Sequence, residues 1–151
     1  MASSGRSVTT LRVLTYLSLL LLTAEFLLGM YVNLFIKIPE QHPGSNAASY
    51  FTGVVDVVQW AVLQAATLVS VHASLGLFLV VFALLVLLVA LISRRGWAIV
   101  WAFLGFVGVL AGGFNGASFL IYREVLSSML MAGGFALALV AYSSVLLVSR
   151  R

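Results

Sequence analysis

Cysteine is absent and charge is scarce: 8% of the 151 residues are Asp, Glu, Lys or Arg, and only four of those are acidic. Without cysteine there is no disulfide, no thiolate metal site and no cysteine nucleophile. With 63% of residues hydrophobic, too few polar groups remain to cover a soluble domain of this size. A mean hydropathy of +1.18 therefore points to an integral membrane protein built as one membrane domain.

Proline is nearly as rare. Pro39 and Pro43 fall together with Gly44, Ser45 and Asn46, which marks one irregular loop. No catalytic triad, HExxH motif, Walker loop or Rossmann fingerprint occurs, so no catalytic residue is assigned and an enzyme is not expected. The glycines at 112, 113 and 116 lie inside an apolar run with no strand before them, which excludes a dinucleotide loop. The net charge of +4 is not a nucleic-acid signature either, because the arginines flank apolar segments and form no patch with interleaved aromatics.

Long apolar runs are abundant. Residues 14–36, 71–92, 97–121 and 125–148 are each long enough to cross a bilayer, which takes about 20 residues, and predict an all-α four-helix transmembrane bundle. The first run continues past any signal-peptide length without a small-x-small cleavage site, so it is expected to be an uncleaved span. Residues 57–93 carry no formal charge and are too long for one straight span. Asp56, Gln59, Ser70 and Ser74 recur near helical spacing there. Residues 54–70 are accordingly expected to form an amphipathic helix that lies on the membrane or extends the second span, with Gly53 ending the loop before it.

Arg6, Arg12, Arg94, Arg95, Arg150 and Arg151 all fall on one side of the four spans, with no acidic residue among them. The positive-inside rule then places both termini in the cytoplasm. The opposite side receives the loop beginning at Lys37 and the tight turn at Arg123 and Glu124.

Glu25 lies within the first apolar run, where a carboxylate costs on the order of 3 kcal/mol and usually marks a functional pathway. Glu25, Gly29 and Asn33 follow at i, i+4 and i+8 and share one stripe. Counting up from Arg12, Arg94, Arg95 and Arg150 at about 1.5 Å per residue places Asn33, His72, Asn115 and Met131 in one layer roughly 30 Å up, with Glu25 perhaps ~12 Å deeper. These five residues are the candidate ligand or proton site: an outward-facing pocket with a carboxyl at its floor. With no cation in the spans to pair with it, Glu25 is expected to be protonated and hydrogen-bonded within the bundle.

Gly108, Gly112 and Gly116 form a small-xxx-small stripe suited to close helix packing, and Gly29 belongs to the same class. Asn115, Ser118, Ser127, Ser128 and Tyr142 read as interhelical hydrogen-bonding groups. Trp97 and Trp101 read as interface anchors, and His42, in a Gln-His-Pro-Gly run, as a turn residue.

The runs EFLLGMYVNLF at 25–35, IPEQHPG at 38–44, VHASLG at 71–76 and GFNGASFL at 113–120 resemble a group of small bacterial integral membrane proteins, actinobacterial in type. That resemblance implies four helices and membrane residence and supplies no activity. More distantly, an acidic residue on the first helix followed by a histidine near the outer start of the second, with Leu75 and Gly76 close behind, resembles half of a heme A synthase. By that resemblance Glu25 corresponds to a catalytic carboxylate and His72 to a heme iron ligand. The fourth helix has no histidine, and Met131 stands at the matching depth.

Three functions follow as expectations. The first is a bundle that binds heme, a quinone or another apolar ligand. The second is an accessory subunit of a larger membrane complex or homo-oligomer, docking through the Gly108, Gly112 and Gly116 stripe. The third is a small proton-coupled transporter built around Glu25.

Overall fold

The computed structural model describes residues 2–149, with side chains from residue 6 onward, so Arg150 and Arg151 lie outside the described residues. Five helices follow in order: α1 Ala2–Phe35, α2 Tyr50–Leu63, α3 Thr67–Ser93, α4 Gly96–Tyr122 and α5 Val125–Val148. Four of them, α1, α3, α4 and α5, are long and apolar enough to cross a membrane. They form a closed ring in which α1 packs on α3, α3 on α4, α4 on α5 and α5 on α1, while the 14-residue α2 packs on α3 and α4.

Lipid tails are as apolar as leucine, so close van der Waals packing, rather than escape from water, brings such helices together. The chain uses small residues for this. A Cβ added at Gly108 would stand 2.7 Å from both Ala138 N and Gly134 O, and one at Gly134 would stand 2.6 Å from Gly112 N. Backbone therefore meets backbone along α4 and α5. The glycine stripe faces the chain's own α5, most closely at Gly108 and more loosely at Gly112 and Gly116. Gly105 extends the same seam by accepting the face of the fully buried Tyr142 ring. The Tyr142 hydroxyl has no hydrogen-bond partner, so its contribution is packing rather than the interhelical bond expected of it.

Hydroxyls within α1 are satisfied locally, as a hydrocarbon environment demands. Thr15 donates to Leu11 O at 2.7 Å, Ser18 to Leu14 O at 3.1 Å and Thr23 to Leu19 O at 2.8 Å. Two tight turns complete the ring, each closed by an arginine in the left-handed region: Arg94 at φ 54° after α3 and Arg123 at φ 55° after α4.

The segment before the third helix departs from expectation. Helix α2 begins at Tyr50, capped by Ser49 accepting the Thr52 N–H, and stops at Leu63; α3 starts at Thr67, four residues before the expected span. The chain breaks at 64–66, where both Gln64 and Ala65 N–H groups turn back onto Trp60 O. Asp56 and Gln59 therefore lie on one helix and Ser70 and Ser74 on another, which ends the apparent periodicity across 54–70. Gly53 does not end the loop but lies inside α2, where Ala47 and the Gly44 carbonyl press against it. Gly44 itself, at φ +95°, needs the freedom of glycine.

Two apolar clusters fill the bundle. One, toward the Arg94–Arg95 end, holds Leu11, Leu22, Leu79, Ala83, Val86 and Tyr142 among others; the second, toward the loop end, holds Val32, Val57, Trp60, Ala61, Val69 and Ala117. The residues between them on α1 and α3 include Glu25, Gly29, His72 and Gly76.

Candidate functional site

Glu25 and His72 face one another across the α1–α3 seam, with Glu25 Oε1 2.9 Å from His72 Nδ1. Both side chains are mostly enclosed, at 15% and 28% exposure. Each sits against a glycine of the opposite helix. The His72 ring covers Gly29, where an added Cβ would stand 2.8 Å from Cε1, and Glu25 Oε1 lies 3.0 Å from the equivalent point on Gly76. The sequence thus places a large polar side chain and a glycine four residues apart on each helix, and antiparallel packing fits them together.

This pairing corrects the expectation that Glu25 lacks a partner. It also corrects the depth count. The contact of Gly29 with His72, carried along both helices, puts Arg94 level with Ser7 rather than Arg12, a displacement of about 8 Å. Leu11 and Ala90, equivalent by that register, share one apolar cluster. His72 therefore lies one turn below Asn33, within reach of the carboxyl.

Although Nδ1 and Oε1 approach closely, Nδ1 is buried without a well-formed hydrogen bond, and Glu25 Oε2 is buried with no partner at all. Nε2 of His72 makes no hydrogen bond to any described residue and is not among the buried atoms. Imidazole held at Nδ1 by a carboxylate while Nε2 stays open is the arrangement that orients a histidine toward a ligand or metal.

The other candidates are not drawn to His72. Asn115 donates its amide to Ala111 O of its own helix at 2.8 Å. The Met131 sulfur packs on Gly116, 3.5 Å from an added Cβ. Asn33 is exposed and lines a cleft of about 230 Å³ at the loop end, with Ile36, Lys37, Ile38, Glu40, Phe119, Leu120 and Arg123. Four helices therefore do not supply one polar layer; two helices supply one pair. Among the described residues no group of three or more His, Cys, Asp or Glu side chains is placed to hold a metal ion.

No family model matches this chain. Comparison with curated proteins and with solved structures likewise returns no match. The resemblances drawn from the sequence stand without such support, and the site's chemistry carries the functional reading.

The loop end holds a second constellation. His42 stacks on Trp60 at 4.5 Å between ring centroids, its Nε2 3.2 Å from Leu120 O and its Nδ1 2.9 Å from Pro43 O. The Arg123 guanidinium donates to the Ile38 and Pro39 carbonyls. Ser118 bonds Tyr50 at 2.8 Å, tying α4 to α2. His42 is a turn residue as expected, but its stack on Trp60 was not legible, because no periodicity links a loop histidine to a tryptophan 18 positions later.

Proposed function

We propose that the protein is a multi-pass protein of a bacterial-type plasma membrane, with both termini cytoplasmic, that binds an apolar ligand through His72 Nε2. One observation carries this reading: Glu25 Oε1 stands 2.9 Å from Nδ1 of the imidazole while Nε2 lacks any described partner. A carboxyl so deep in a span is costly to keep, and orienting a ligand-binding ring gives it a use.

A quinone-type headgroup suits the site better than heme. Its carbonyl oxygen accepts a hydrogen bond, which Nε2–H gives in the tautomer whose Nδ1 faces a protonated Glu25, and its apolar body is already at home among the helices. Heme remains compatible only as a single-histidine version, because Met131, at the depth expected for a second ligand, rests on Gly116. When bound, either group would supply redox chemistry; His72 would hold it, and Glu25 would fix the ring.

The test is to purify the protein in mild detergent from ligand-replete cells, record the visible and hemochrome spectra, and assay extracts for quinones. Wild type should carry a saturable ligand that His72→Ala loses and Asn115→Ala keeps. Equal occupancy in wild type and His72→Ala, or no saturable ligand in either, would refute the proposal.

A further inference from the structure

The segment between α1 and α2 is fastened to the end of α4 at two places, each by nitrogen donors on carbonyl oxygens. Arg123, which caps α4, donates to Ile38 O and Pro39 O. His42, in the segment itself, reaches back to α4: its Nε2 lies 3.2 Å from Leu120 O while its Nδ1 lies 2.9 Å from Pro43 O. A guanidinium keeps all its donors at any ordinary pH, whereas an imidazole does not.

Both His42 nitrogens therefore face an acceptor. A neutral imidazole carries one N–H and would meet one of the two oxygens lone pair to lone pair; imidazolium carries two N–H groups and satisfies both. A cation at this place also meets negative potential. Leu120 O belongs to the last turn of α4, where carbonyls lack partners within the helix and the dipole ends negative, and that turn holds no basic residue of its own. The ring stacks on Trp60 with centroids 4.5 Å and planes 15° apart, within the distance at which the face of an indole attracts a cation.

We infer that His42 is a pH-sensitive latch: as imidazolium it ties residues 40–43 to the end of α4 and to Trp60 of α2, and on losing a proton it releases them. In that step one ring N–H bond breaks, its electron pair stays on nitrogen and the proton goes to water. The pair then faces a carbonyl oxygen, which ends one of the two hydrogen bonds. The segment is thus held below about pH 5 and loosened above about pH 8, the range over which histidine changes charge. Release is local, because Arg123 still holds Ile38 and Pro39, and Gly44 and Ala47 press against Gly53 of α2. Glu40 and Leu120 also line the loop-end cleft, so the latch forms part of its rim.

No carboxylate shares the task. The segment brings Lys37 and Glu40, and α2 brings Tyr50 and Asp56. The end of α4 brings Tyr122 and Arg123, with Glu124 following. Among the described residues the one ion pair joins Glu25 to His72, so none of these acids is paired with His42.

The test uses the full chain in lipid nanodiscs with isotope-labelled histidine and, because the chain has no cysteine, a spin label at a single Gln41→Cys. Nitrogen NMR signals that His42→Gln removes should show both ring nitrogens protonated at about pH 5 and one at about pH 8. The label's mobile component should grow about tenfold across the same range and follow the same curve. His42→Gln, which has no titrating ring, should leave the label mobile throughout, while Glu40→Gln and Asp56→Asn should keep the response. A His42 ring already neutral at about pH 5, label mobility indifferent to pH, a response surviving in His42→Gln, or one lost in Glu40→Gln or Asp56→Asn would overturn the inference. The wild-type spectrum and label decide by themselves if His42→Gln does not assemble, with His72→Ala identifying the other ring. His72 takes no part in the latch, so this inference and the proposed function fail separately.

Discussion

Gly133 and Gly134 are neighbours in sequence and opposites in structure, which makes them a controlled measurement of the α4–α5 seam. Alanine at 134 would place a methyl 2.6 Å from Gly112 N, 2.7 Å from Gly108 O and 3.2 Å from the Ala111 carbonyl carbon. Ordinary carbon contacts begin near ~3.5 Å, so the two backbones must part by about 1 Å, a gap that forfeits a quarter to a half of each contact along the seam. Overpacking of this kind costs about 1–3 kcal/mol. Replacing glycine within a helix returns about 1 kcal/mol, leaving Gly134→Ala net destabilised by up to about 2 kcal/mol. At Gly133 an added methyl meets nothing within 4 Å, so Gly133→Ala keeps the propensity gain and should be neutral or more stable. The two variants should thus differ by about 2 kcal/mol, roughly 30-fold in the folding equilibrium, read by reversible unfolding in mixed micelles or by steric trapping in bicelles. Equal stabilities would refute the backbone-to-backbone seam.

Tyr142→Phe removes a buried hydroxyl with no partner and should leave stability unchanged or raise it by about 1 kcal/mol, whereas Tyr142→Ala should cost about 3–5 kcal/mol by emptying the space over Gly105; both are measurable in the same unfolding assay. Arg123→Ala removes charge-assisted bonds to two loop carbonyls and should speed amide exchange across residues 36–49 about tenfold or more, while α1 and α3 exchange as before. Arg94→Gly should stabilise by about 1 kcal/mol, because the left-handed cap at φ 54° penalises a side chain; a loss of thermal stability would contradict that. On α2, Phe51 and Val55 are exposed and apolar while Thr52 and Asp56 lie on the neighbouring stripe. Single-cysteine spin labels at 51 and 55 should be reached by dissolved oxygen in the bilayer and those at 52 and 56 by aqueous relaxants, the reverse pattern counting against a membrane-embedded α2 face.

The four spans were legible because they require only length and hydropathy, which a bilayer turns into a near-obligatory helix. The stripe of Glu25, Gly29 and Asn33 was legible for a similar reason, since spacing within one helix follows from its 3.6-residue turn. Relations between helices were harder. His72 was recognised as a candidate yet assigned to the wrong turn, because counting from Arg12 and Arg94 assumes that the two arginines stand level, and nothing within either helix fixes that. Gly108, Gly112 and Gly116 announced a tight seam without saying which helix fills it. The end of α2 was hidden because residues 64–66 contain neither glycine nor proline; the break lies in how Gln64 and Ala65 turn back onto Trp60, which composition does not record.

The reciprocal fit of Glu25 into Gly76 and His72 onto Gly29 also acts as a vernier between two otherwise slippery surfaces. Leucine and valine faces in lipid tolerate sliding, since one apolar contact replaces another at little cost. A slip of α3 by one turn would press the imidazole against a side chain instead of a glycine and strand the carboxyl in hydrocarbon, at a penalty on the order of 3 kcal/mol. The most expensive residue in the chain therefore supplies the alignment that apolar packing cannot, much as a lone buried polar residue sets the register of a coiled coil.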